Sequence, residues 1–79
     1  MNIREVLLEK TTLKRLIGDN LVNDDENLAN YGLSSLNLIT LVSSIEDTFE
    51  IEYPLEYLTI DSFKTINIIV SILKTIIDN

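Results

Sequence analysis

Apolar side chains recur at helical spacing along most of this chain, and three stripes stand out. In the first, Ile3, Val6, Leu7, Leu13 and Ile17 share one face of a helix running from Ile3 to Ile17, with Gly18 as its stop, although Lys10 falls inside the stripe. The second predicts a helix from Ser35 to about Phe49: at 100° per residue, Leu38, Leu41, Val42, Ile45 and Phe49 occupy an arc of roughly 100°. Leu36 and Ile39 project away from that arc and share the outer face with Thr40, Ser43, Glu46, Asp47 and Glu50. The third places Ile66, Ile69, Val70, Leu73, Ile76 and Ile77 on one side. Its isoleucines also alternate as a strand would, but a run of about 14 residues is long for a strand and ordinary for a helix. Ile68 and Ile72 lie off this stripe, either lining a shallow groove or packing on the neighbouring loop or short helix.

The connections are irregular. Residues 19–33, DNLVNDDENLANYGL, form a long acidic link in which Leu21, Val22, Leu28 and Tyr31 are the expected core anchors. Asp24, Asp25 and Glu26 lack the alternating ligands and turn glycine of a calcium loop, so they read as a solvated acidic turn and no metal is expected. After the second helix the chain turns at Pro54, with a short helix expected at Glu56–Leu58, and Asp61 or Ser62 available to cap the last helix. Two glycines and one proline are too little punctuation for many short strands. The expected fold is all-α: a small four-helix bundle with three main helices and one short one, residues 1–79 forming a single domain.

Charge and composition narrow the function. Thirteen acids against six bases leave a net charge of −7, which disfavours contact with a phosphate backbone and points away from nucleic acid. Partners should present basic surfaces, unless the charge serves solubility alone. Tyr53, Tyr57 and Phe63 read as core or rim packing, since no bases interleave with them as on a stacking platform. Charged residues interrupt the N-terminal segment where a signal peptide would be apolar, and no run approaches the roughly 20 residues of a membrane span. The absence of cysteine suits a reducing compartment, so a cytoplasmic setting is expected, and the chain is expected to be a monomer. With no histidine either, a serine nucleophile would have only lysines to activate it, and no recognisable motif places one. An enzyme is therefore not expected.

One stretch carries more specific information. Leu28-Ala-Asn-Tyr-Gly32-Leu-Ser-Ser35-Leu36 resembles the prosthetic-group attachment site of the acyl carrier and peptidyl carrier protein family, in which a glycine precedes a Ser-Leu pair that opens the second helix. Gly32, Ser35 and Leu36 match that pattern. "IEDTFEIEYP" is similar to the family's exit from that helix and "IDSFKTINIIVSIL" to the lead into its last, so the resemblance covers roughly residues 28 to 73. It implies that a Mg-dependent phosphopantetheinyl transferase moves 4′-phosphopantetheine from coenzyme A onto Ser35. The modified protein would then be a phosphoprotein and thioester carrier, passing acyl or aminoacyl groups among loading and transferring enzymes of fatty-acid, polyketide or nonribosomal-peptide type. Such lipid or secondary-metabolite biosynthesis would proceed without chemistry by the carrier itself. The rival expectation is an unmodified helical interaction module that keeps the carrier fold.

Two departures from the family pattern matter. Acyl carriers typically have Asp immediately before the serine, and this chain has Ser34, an equally good helix cap that lacks the negative charge of that Asp. Fatty-acid carriers also place acids along the outer face of the second helix, whereas Ser35 to Ile45 carries no charge. The expected partner-docking face comprises Ser34, Leu36, Ile39, Thr40, Ser43, Glu46 and Asp47, with docking more apolar than ionic. The spacing from Pro54 to Phe63 is somewhat closer to that of aminoacyl and peptidyl carriers.

Overall fold

A computed structural model describes residues 2–78. The first helical stripe forms two helices rather than one: α1 spans Ile3–Lys10 and α2 spans Leu13–Ile17. Polar bonds to Thr11 and Thr12 cause the break. The Thr11 hydroxyl donates to the Leu7 carbonyl at 2.6 Å and accepts the Leu13 N–H at 3.2 Å, taking over bonds that a continuous helix would make through its backbone. The Thr12 N–H donates to Ser44 Oγ at 3.0 Å, and Thr48 Oγ1 donates to the Lys10 carbonyl at 3.2 Å. Both hydroxyls lie on the second major helix, α3, which spans Ser35–Phe49 as its periodicity predicts. Leu7, Leu13 and Ile17 still reach the core from their separate helices.

The core-facing arc of α3 is the expected one: Leu38, Leu41, Val42 and Ile45 are buried, and Phe49 packs on the same cluster from its edge. Helix α4, Ile66–Asp78, buries Ile66, Ile69 and Leu73, while Val70, Ile72 and Ile76 pack around them. Ile68 and Ile72 are both half-buried. The expected short helix at Glu56–Leu58 is instead a 3-10 turn at Leu55–Tyr57, and a second 3-10 turn follows at Ile60–Phe63. Pro54 sets the first turn and Tyr57 N–H closes it on the Pro54 carbonyl at 3.0 Å. Asp61 and Ser62 belong to the second turn and do not cap α4. The cap is Thr65, whose Oγ1 accepts the Ile68 N–H at 3.1 Å.

The long link between α2 and α3 is tied to the starts of α1 and α4. Leu28 N–H donates to the Lys64 carbonyl at 2.8 Å, and Asn67 N–H donates to the Asp24 carbonyl at 3.0 Å. Arg4 grips the Asp24 carboxylate, with Nε donating to both oxygens at 3.0 and 2.9 Å. Asn67 Nδ2 donates to Asp25 at 2.6 Å and the Tyr31 hydroxyl donates to Glu26 at 2.9 Å. The acidic turn is thus a set of tethers, and no metal-holding group of carboxylates forms among the described residues. Of the expected anchors, Leu28 is buried and Val22 and Tyr31 pack on the core, but Leu21 is 99% exposed. Leu33 takes the burial instead. Val22, the neighbour of Leu21, is the one that faces the core, which turns Leu21 to solvent. Tyr53 and Phe63 are buried with ring centroids 5.3 Å apart, and Tyr57 packs beside the same core.

Candidate functional site

The entry to α3 is built from one glycine and two capping side chains. A 3-10 turn at Leu28–Tyr31 ends on Gly32, whose φ of 96° lies in the left-handed region that glycine adopts without a Cβ penalty. The chain reverses there, Leu33 drops into the core, and Ser34 becomes the extended N-cap residue of α3. Ser34 Oγ accepts the Leu36 N–H at 3.3 Å. The Ser34 N–H donates to Asn37 Oδ1 at 2.8 Å, and Asn37 Nδ2 reaches back to the Gly32 carbonyl at 2.8 Å. This is a capping box with asparagine in the place usually taken by Glu or Gln.

Ser35 is the first residue of α3 and is exposed. The cap occupies the Ser34 hydroxyl and leaves Ser35 out of its bonds. At this end of a 15-residue helix the aligned peptide dipoles present partial positive charge, and no acid lies in the first turn to offset it. An anion joined to the Ser35 oxygen would meet that charge, so the residues present fit a phosphodiester.

The remaining expected site residues form one face. Leu36 is 95% and Ile39 75% exposed, and Thr40, Ser43 and Asp47 are exposed beside them. Glu46 differs from its neighbours: it is half-buried, and its Oε2 accepts the Tyr53 N–H at 2.8 Å. Ile39, Ser43 and Glu46 line a cleft of ≈ 390 Å³ with Leu38, Val42 and Leu58. Ser34 belongs to the helix entry, where its hydroxyl is engaged in capping.

Asn37, Leu33 and Leu58 did not emerge as site residues from the sequence. Ser34-x-x-Asn37 has the spacing of a capping box, which was the available signal for Asn37. Leu33 follows the turn glycine as a lone apolar residue. Leu58 reaches the cleft from a different segment, and no local pattern marks it.

A family model described as the phosphopantetheine attachment site matches residues 10–73. That range is most of the chain, and the protein belongs to this family: it is a carrier whose domain is the attachment site for covalent 4′-phosphopantetheine. No curated protein and no solved structure matches the chain. Among the described residues no helix is long and apolar enough to cross a membrane.

Proposed function

We propose that the described residues act as one carrier unit in which Ser35 bears the phosphopantetheine arm and the outer face of α3 meets the partner enzymes. The observation that carries this reading is the division of labour between two adjacent hydroxyls. Ser34 spends its oxygen on the Leu36 N–H, while Ser35 stands exposed at the positive end of α3. Esterification of Ser35 therefore breaks no cap, whereas esterification of Ser34 would remove one. The Ser35 oxygen would displace the adenosine 3′,5′-bisphosphate half of coenzyme A at the phosphorus next to the pantetheine, its proton passing to the transferase. When attached, the arm supplies a terminal thiol that holds cargo as a thioester.

The residues of this chain then position and present. The Gly32 turn and the Asn37 bonds hold the helix start in place, where the α3 N-terminus would stabilise an attached phosphodiester. Leu36, Ile39, Thr40, Ser43, Glu46 and Asp47 offer the surface that a transferase or an acyl- or aminoacyl-handling enzyme would dock on. A face uncharged from Ser35 to Ile45 supports docking that is chiefly apolar and little screened by salt. The cargo is an acyl or aminoacyl group of a biosynthetic pathway, and the setting is cytoplasmic.

Incubation with coenzyme A, Mg²⁺ and a broad-specificity phosphopantetheinyl transferase tests the assignment by intact mass. The wild type and Ser34→Ala should each gain one phosphopantetheine, and Ser35→Ala none. A mass gain retained by Ser35→Ala would overturn the assignment.

A further inference from the structure

Leu21 is the most exposed large apolar side chain among the described residues, 99% open to solvent, and it stands at the rim of a cleft of ≈ 220 Å³ between α1, α2 and the link. Buried Ile17 and Ile66 form the floor of that cleft, and half-buried Leu8 and Val22 form its walls. The knob is held in place from both sides. The Asn20 N–H and Nδ2 both donate to the Ile17 carbonyl, at 3.2 and 2.8 Å, and Val22 packs on the core. Arg4 and Lys14 also line the cleft, and each is already paired, with Asp24 at 2.6 Å and with Glu9 at 2.9 Å. An entering side chain therefore meets an apolar hole whose charged neighbours are compensated.

A knob and a hole side by side on one surface are self-complementary about a two-fold axis, since each copy then supplies one of both. Charge points the same way. Residues 1–22 carry four bases and three acids, whereas residues 23–79 carry two bases and ten acids. Two copies that met through like faces of the acidic part would repel, and the near-neutral α1–α2 face is where that repulsion is least. We propose that this cleft receives Leu21 of a second copy of the chain, whose own cleft receives Leu21 of the first. The monomer expected from the sequence is then one side of a concentration-dependent equilibrium. One anchoring side chain per copy makes a contact of the weak, transient kind, and because Leu21 is already fixed, little order is lost on pairing. No residue of α3 lines the cleft, so the knob and its hole take up neither Ser35 nor the outer face of α3, and the pairing does not depend on the carrier reading.

Sedimentation velocity of the full chain from micromolar to millimolar concentration, at low and high salt, tests the proposal. The mean mass should climb from one copy toward two and no further. It should do so more readily at high salt, where the repulsion between two chains of net charge −7 is screened. Leu21→Ser removes an anchor that occurs twice about the axis, so the dimer Kd should rise about a hundredfold. Its thermal midpoint should match the wild type, because so exposed a side chain adds little to the fold. Leu36→Ser and Leu55→Ser, at side chains 95% and 86% exposed, should keep a Kd within about twofold of the wild type. A mass of one copy alone at millimolar concentration and high salt overturns the proposal, and so does a Leu21→Ser Kd within about twofold of the wild type. Association that weakens with salt, or masses that grow past two copies, would indicate an ionic head-to-tail contact between unlike parts of the chain and overturns it equally. Modification of Ser35 is read separately by mass gain and stands or falls apart from these results.

Discussion

Ser34 and Asn37 cap one another across the first turn of α3. The Ser34 N–H donates to Asn37 Oδ1 at 2.8 Å, while the Asn37 backbone N–H donates to the Ser34 carbonyl at 3.2 Å. Because Asn37 Nδ2 also holds the Gly32 carbonyl at 2.8 Å, one side chain locks the turn glycine to the helix it precedes. Ser35 sits between these partners and makes none of the bonds.

That arrangement separates the two serines by stability as well as by chemistry. Asn37→Ala should cost about 1 to 2 kcal/mol in urea denaturation, and Ser34→Ala about 1 kcal/mol. Asn37→Glu should recover part of the loss, since a carboxylate can accept the Ser34 N–H but cannot donate to Gly32. Ser35→Ala should stay within about 0.5 kcal/mol of the wild type. An equal loss for both serine variants would contradict the division of roles.

Gly32 and Glu50 both adopt left-handed backbone conformations, and they should respond in opposite directions. A Cβ on Gly32 would meet only Leu16 Cδ2 at 3.9 Å, so the penalty for Gly32→Ala comes from its φ of 96° rather than from crowding. A loss of about 1 to 2 kcal/mol is expected. Glu50 closes α3 with a φ of 55° and carries a Cβ in that conformation. Glu50→Gly should raise stability by about 0.5 to 1 kcal/mol and the thermal midpoint by several degrees. A drop in the midpoint would show that the Glu50 side chain contributes more than its conformation costs.

Tyr53 is buried, and its hydroxyl has no hydrogen-bond partner among the described residues. Tyr53→Phe keeps the ring contact with Phe63 and should be neutral or stabilising by about 1 kcal/mol. Burial pushes the Tyr53 ionisation far above the ordinary tyrosine value, with Tyr57 adding to it. A folded-state pKa above the unfolded one means that this stabilisation is complete below the ordinary tyrosine range and falls away as pH rises through and beyond it. Ultraviolet titration should show Tyr53 ionising only as the protein unfolds, and less alkaline sensitivity in Tyr53→Phe. Ionisation of all three tyrosines in the folded state would contradict this burial.

The Arg4–Asp24 pair acts at the other end of the pH scale. Hydrogen bonds from Arg4, aided by its charge, hold the Asp24 carboxyl below its ordinary range. The pair's contribution is therefore present above the ordinary carboxylate value and is lost as pH falls through the lowered one. Because both side chains are partly exposed, Arg4→Ala should cost no more than about 1 kcal/mol at neutral pH. The difference from wild type should shrink with added salt and vanish in acid. A difference that persists in acid would mean that Arg4 acts through packing instead.

Helical periodicity by itself determined where α3 and α4 run and which of their faces are apolar, because which side of a helix meets the core depends only on spacing along the chain. The outward placement of Leu36 and Ile39 was legible for the same reason, whereas the Gly32 turn and the serine pair were legible through the resemblance of that stretch to a carrier attachment site. Tertiary structure alone decided the break between α1 and α2, where the Thr12 N–H and the Lys10 carbonyl find hydroxyls 32 and 38 residues away. It also chose Leu33 over Leu21 for the core, made Thr65 the cap of α4, and brought Leu58 and Tyr53 to Glu46. Such pairings depend on which polar and apolar groups packing brings within reach, and local periodicity carries no record of partners that distant.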